Sequence, residues 1–229
     1  MFPISDSIKA ARFPFLNLLI IAANAYVFYL QLTSPNLDSF ITQYALIPSH
    51  IDFTHLVTLL PFVTAMFLHG GFMHIISNMW FLKVFGDNVE GHMNPLLFLL
   101  LYFGSGILGN VLQYLLMPSS SIPMLGASGA VAGILGAYFI LFPQSKVKTF
   151  VPIFFLFTII SIPAVFMLGY WFILQIFSGV GSLGNTSGQG GVAFWAHIGG
   201  FVFGLLFAKY LEIRTHKSSA DIIDGEIIG

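Results

Sequence analysis

The sequence predicts an all-α, polytopic membrane protein, a bundle of six transmembrane helices, and three observations carry that prediction. Of 229 residues, 57% are hydrophobic and 7% charged, whereas soluble globular chains carry roughly 25% charged residues. Runs near the ~20 apolar residues that a helix needs to cross ~30 Å of hydrocarbon recur six times, each bounded by charge, Pro or Gly. With six crossings all eight basic residues fall on the side of the N-terminus, and a count of five or seven would split them.

The elements follow in order. The first span, about 13–32, comes after Lys9 and Arg12. It exceeds the ~7–15-residue apolar core of a signal peptide, so it is expected to remain in the membrane. Residues 33–66 form a long first loop. The second span, 67–86, carries Lys83 at its inner end, and the third covers 95–116. The fourth, 126–143, stops at Pro143 and is anchored by Lys146 and Lys148. The apolar stretch 149–158 is interrupted by Pro152 and Pro163, and reads as an interfacial lead-in to a fifth, Phe-rich span at 159–178 that supplies lipid- or core-facing bulk. The sixth span, 192–211, precedes Arg214 and Lys217. Residues 1–212 thus make one domain, followed by a cytoplasmic, disordered tail at 213–229.

The positive-inside rule places both termini in the cytoplasm and loops 33–66, 117–125 and 179–191 outside; a bacterial inner membrane is the expected location. Ser178 to Gly191 is mostly glycine and serine, which suits a mobile cap. There is no cysteine, so disulfides and thiolate metal sites are excluded, and a net charge of −1 argues against nucleic acid.

Polar side chains inside a span are costly and mark function by default. Here they are His69, His74 and Asn78 in the second span, Asn110 and Gln113 in the third, Ser128 in the fourth, Gln175 in the fifth and His197 in the sixth. No span has a central Asp or Glu, which argues against an aspartyl protease and carboxylate-driven transport. A His-Glu-x-x-His run for zinc is missing too, and the glycines of 125–136 lack the Lys of a phosphate-binding loop. His50, Asp52 and His55 lie in the first loop and read as solvated or interfacial groups.

Depth groups four of the polar residues. Spans two, four and six run from outside to inside, and at ~1.5 Å per residue His74 lies about 10 Å and His197 roughly 7 Å into its span. The fourth span is short, so Ser128 near its start is submerged to a similar level, and Asn78 lies one turn below His74. Each residue has a structural explanation taken alone: an N-cap serine, interhelical glue, a satisfied core histidine. Together at one level they make a site. A serine hydroxyl needs a base, and His197 is the histidine that reaches this layer from another span. Ser128, Ala132 and Gly136 share one helical face, and His197, Gly200 and Gly204 another, so small residues would let the two helices meet. His74 and Asn78, spaced i,i+4, offer donors to a developing oxyanion, as do the N–H groups of a helix starting at Ser128.

His74-Ile75-Ile76-Ser77-Asn78, Gly126-Ala127-Ser128-Gly129 and Ala196-His197-Ile198-Gly199-Gly200 with Gly204 resemble, in order and on spans two, four and six, the signature motifs of rhomboid intramembrane proteases. The resemblance covers about 13–212. It implies a six-helix rhomboid-like core and cleavage of transmembrane protein substrates within the bilayer, with no cofactor and no metal. Ser128 would be the nucleophile and His197 the general base, with His74, Asn78 and the Ser128 backbone as the oxyanion site. The sequence departs from the family in two places. Leu60-Pro61 stands where many members have Trp-Arg, and Ala132 occupies a position, one turn after the serine, that is sometimes an aromatic packed on the histidine.

Other functions are weaker. A catalytically silent relative that binds or escorts membrane clients predicts loss of Ser128 or His197, and both are present. A small transporter predicts internal repeats and buried charge, and a soluble-type nucleophile elbow needs glycine where Ala130 stands.

Overall fold

The computed structural model describes residues 2–153, 156–183 and 192–226. The chain is mostly helical, and its outward faces carry large apolar residues such as Leu108, Phe166, Ile173, Phe177 and Leu206. Among the described residues, four helices are long and apolar enough to cross a membrane: α1 (Phe15–Thr33), α6 (Pro95–Leu116), α8 (Ala164–Leu183) and the first part of α9, Phe194–Ile213. The chain is an integral, multi-pass membrane protein.

The regions expected as spans two and four look different. Around span two the chain bends by 79° between Leu56–Phe67 and Phe72–His92, so this pair counts as a fifth crossing only if taken together. The bent region contains α3 (Pro61–Thr64), α4 (Phe72–Phe81), a wide π-type turn at Leu82–Gly86 and α5 (Asp87–His92). Its break is clamped from α1, where the Gln31 amide donates to the His69 carbonyl at 2.7 Å and accepts from the His69 N–H at 3.1 Å. The expected fourth span is α7 (Ser128–Leu141), 14 residues long. At ~1.5 Å per residue it is shorter than the hydrocarbon layer. All positions from Gly129 to Tyr138 are buried, so α7 is the central helix, enclosed by protein on every side.

The first loop contains α2 (Leu37–Tyr44), capped by Asn36, whose side chain accepts from the Ser39 N–H. The start of α1 is held by a residue far along the chain. The Glu90 carboxylate accepts from the N–H groups of Leu16 and Asn17 at 3.0 and 2.7 Å, which meets donors that have no partner within the helix.

The all-α expectation fails at 146–163. Lys146–Ile153 and Leu156–Pro163 form an antiparallel hairpin, β2 and β3, and Phe2–Asp6 adds as β1 on the other edge of β2. The stretch is a sheet because its side chains alternate. Val147 and Thr149 are buried, while Lys146 and Lys148, which alternate with them, are exposed, a period of two that suits a strand. Pro152 is tolerated because β1 pairs no further along β2 than Phe150, so the ladder to β1 loses no donor there. The fifth span therefore begins after Pro163, at Ala164, and not at 159. Of the expected cap, Ser178–Leu183 belong to α8 and 184–191 lie outside the described residues. The backbone of α9 runs on to Glu226 through most of the expected tail, and 227–229 lie outside the described residues.

β1 is tied to the helices by polar contacts. Asp6 accepts from the Asn88 amide at 2.6 Å and from the Tyr138 hydroxyl, and the Trp80 indole N–H donates to the Pro3 carbonyl at 2.6 Å.

Candidate active site

The segment before Ser128 is pinned by the first loop. Leu46 and Met124 exchange both backbone hydrogen bonds, at 3.0 and 2.8 Å, and the Gly126 N–H donates to the Ala65 carbonyl at 2.9 Å. Gly126 adopts φ +133°, a conformation open to glycine, and a Cβ there would lie 2.7 Å from His74 Nε2. The turn through Gly126 and Ala127 leads directly into α7, of which Ser128 is the first residue. Its first-turn N–H groups have no acceptor within the helix and point toward the loop side.

Glycines bring α7 to α9. A Cβ on Gly200 would collide with the Gly129 carbonyl, one on Gly204 with the Gly133 carbonyl, and one on Gly136 with the Phe201 carbonyl. The two backbones therefore touch. The contact stripe on α7 is Gly129, Gly133 and Gly136; Ala132, expected on it, lines a cavity instead. Gly109 of α6 closes the layer, since a Cβ there would collide with the carbonyl oxygen of Ala196, the residue before His197.

At the end of this contact where α7 begins, Ser128 Oγ lies 2.8 Å from His197 Nε2. On the far side of the ring, His197 Nδ1 lies 2.8 Å from Gln175 Oε1. An amide oxygen can only accept, so Nδ1 carries the proton and Nε2 presents its lone pair to the serine hydroxyl. That is the tautomer a base needs. Trp171, one turn before Gln175 on α8, places its ring 5.9 Å from the imidazole at an interplanar angle of 31°.

α4 lies across the cavity. The Gly70 N–H donates to His74 Nδ1 at 3.2 Å, so in the neutral ring the proton resides on Nε2, the atom that faces Gly126. Asn78 is buried, and its Nδ2 has no hydrogen-bond partner among the described residues. His74, Asn78, Ser128, Ala132, Trp171 and His197 line one cavity of about 830 Å³. A hydroxyl with a proton acceptor at 2.8 Å, beside two side-chain N–H donors and a helix start, is suited to acyl transfer through an oxyanion.

The other polar residues of the spans serve elsewhere. Asn110 donates to the Phe62 carbonyl at 2.9 Å, and Gln113 accepts from the Trp195 N–H at 3.1 Å, so both tie α6 to neighbouring backbone. His69 is buried beside His74, ring centroids 5.2 Å apart. In the first loop Asp52 and His55 meet at 2.8 Å in an exposed turn with Thr54 and Thr58. Among the described residues no group of three or more His, Cys, Asp or Glu side chains is placed to hold a metal. The reading of the fifth span as bulk is corrected, because α8 supplies Trp171 and Gln175 to the site. Their i,i+4 spacing, a polar residue one turn after a tryptophan in an otherwise apolar span, was the available signal.

The family model for the Rhomboid domain matches residues 56–214. "Rhomboid protein 1, mitochondrial" of Saccharomyces cerevisiae is 30% identical over 159 residues, 68% of this chain and 42% of that protein. A "putative rhomboid protease" of Bacillus subtilis is 38% identical over 76 residues, 33% of this chain and 38% of that protein. "RHOMBOID-like protein 4" of Arabidopsis thaliana is 35% identical over 149 residues, 65% of this chain and 33% of that protein. The chain thus spans less than half the length of these curated relatives.

Proposed function

This chain belongs to the rhomboid family, and on that premise we propose that it is an intramembrane serine endopeptidase. Its substrates are transmembrane segments of other membrane proteins, cut near the outer face of the bilayer. The observation that carries this reading is the 2.8 Å contact between Ser128 Oγ and His197 Nε2 at the wall of the cavity that His74 and Asn78 also line.

In this reading His197 Nε2 takes the hydroxyl proton as Ser128 Oγ attacks the scissile carbonyl carbon. The resulting oxyanion is held by the Ser128 N–H, His74 Nε2–H and Asn78 Nδ2. His197 then passes the proton to the leaving amine, and water entering the cavity repeats the sequence on the acyl-enzyme. No metal or other cofactor enters any step. The proposed topology has six crossings, with the bent Leu56–His92 region as the second and α7, shielded by its neighbours, as the fourth. Both termini face the cytoplasm of a bacterial inner membrane, as Lys9, Arg12, Lys83, Lys146 and Lys148 require if positive residues stay inside.

The test is cleavage of a model transmembrane substrate by purified protein in detergent. Wild type cleaves and is indifferent to chelators, while Ser128→Ala and His197→Ala remain folded and inactive, because nucleophile and base act as a unit. Substantial turnover by a verified Ser128→Ala preparation, or zinc-reversible inhibition by a chelator, refutes the reading. Topology is tested by single cysteines in this cysteine-free chain. An impermeant reagent on intact cells should label Ser119→Cys and spare Lys146→Cys, and the opposite pattern inverts the assignment.

A further inference from the structure

The side of His197 that faces away from Ser128 is occupied by one amide, and the orientation of that amide can be read. Gln175 Nε2 donates to the Trp171 carbonyl one turn back on α8 at 3.5 Å, while Gln175 Oε1 lies 2.8 Å from His197 Nδ1. Rotating the amide by half a turn would set its oxygen against the Trp171 carbonyl, two acceptors facing each other, and would aim N–H groups at Nδ1. Such a flip would favour the tautomer with the proton on Nε2. That imidazole would donate to Ser128 Oγ and could not accept its proton. A backbone carbonyl of α8 thus sets the amide, the amide sets the tautomer, and the tautomer leaves a lone pair on the atom 2.8 Å from the nucleophile.

We propose that Gln175 is a positioning residue for the reaction: it holds His197 in the Nδ1–H tautomer and the rotamer that make it a base, with the Trp171 ring limiting its rotation. This rests on the reading of Ser128 and His197 as nucleophile and base. The arrangement answers the departure at Ala132. An aromatic from α8 lies beside the imidazole, while position 132 is left as cavity wall. Gln175 makes its contact through the imidazole and touches neither Ser128 nor the carbonyl to be cleaved, so its loss should change turnover and leave substrate binding alone.

The experiment compares wild type, Gln175→Met, Gln175→Glu and Ser128→Ala, reading kcat and KM on one transmembrane substrate and the rate of fluorophosphonate labelling at Ser128. Methionine keeps the length and removes the acceptor; glutamate keeps the acceptor. Gln175→Met should lose about tenfold in kcat and in labelling rate, the scale of one hydrogen bond to the reacting histidine, with KM unchanged. Gln175→Glu should recover to within about twofold of wild type. Wild-type kcat in Gln175→Met, or equal losses in the two variants, overturns the proposal and leaves the Ser–His reading standing. Wild-type cleavage by Ser128→Ala overturns both. Should Gln175→Met fail to fold, Gln175→Asn, whose amide is one methylene short of the ring, takes its place with the same expected loss and the same refuting outcomes.

Discussion

Two helix contacts meet at His197, and they are built from different material. Between α7 and α9 the backbones touch, because Gly129, Gly133, Gly136, Gly200 and Gly204 leave no side chain in the way. Between α8 and α9 the contact is side chain against side chain. Phe172 stacks on Phe201 with centroids 4.4 Å apart at 18°, and Trp171 packs on both Phe201 and His197. A contact between backbones sets how far Ser128 lies from His197 and has little freedom to adjust. A contact between side chains sets how the imidazole is turned, and can be retuned residue by residue. Position and orientation of the candidate base are therefore controlled from opposite sides of α9, which makes them separable by mutation.

The largest effect should come from breaking the backbone contact. Gly200→Ala places a methyl group against the Gly129 carbonyl, at a separation that needs the helices themselves to move. Overpacking of this kind typically costs about 1–3 kcal/mol, and here the displacement falls directly on the serine–histidine distance. Cleavage should drop below detection and the unfolding temperature should fall; wild-type turnover by Gly200→Ala would show that the distance is not set by this contact.

Removing a donor across the cavity should do less. Asn78→Ala and His74→Ala should each lower kcat by about 10²–10³ with little change in KM, since an oxyanion contact is made mainly in the transition state. Some activity survives because the remaining donors stay in place. A rise in KM alone would make these residues docking or structural groups.

The smallest effect lies at the other end of the molecule, where β1 meets the helices. Burial pushes the Asp6 carboxyl above the usual carboxylate range, against the hydrogen bonds from Tyr138 and Asn88 that favour its charge. The folded state thus favours the protonated form. Its contribution to stability is complete below the unfolded value near 3.9 and is lost as the pH rises through the higher folded value. Asp6→Asn is neutral throughout, so the unfolding temperature of wild type relative to Asp6→Asn should fall by about 2 °C between pH 4 and pH 7. Cleavage measured at one pH should be unaffected, and a difference between the two proteins that does not vary with pH would show that Asp6 does not titrate across the transition.

Where hydropathy dominates, the fold was legible in the sequence. The expected span 95–116 is α6, and 13–32 differs from α1 by two residues at its start and one at its end. Hydropathy hid the hairpin at 146–163. Its inward Val147 and Thr149 alternate with Lys146 and Lys148 over too few residues to stand out from the apolar run that follows. Its edge partner, Phe2–Asp6, lies more than a hundred positions away, where no local pattern reaches. At the site, counting depth along the spans brought Ser128, His197, His74 and Asn78 to one level, and these four do line a single cavity. Gln175 stayed outside that grouping because depth says nothing about which way a helix is turned. The rotation of α8 is set by packing such as Phe172 on Phe201, which a single sequence does not encode visibly.

Covalent labelling reads most directly whether the α7–α9 contact delivers a serine already activated by His197. Wild-type protein treated with a fluorophosphonate and analysed by peptide mass spectrometry should carry the adduct on Ser128, with none at the other serines and none at all in His197→Ala. An adduct distributed over several serines, or labelling of Ser128 that proceeds equally fast in His197→Ala, would contradict such activation.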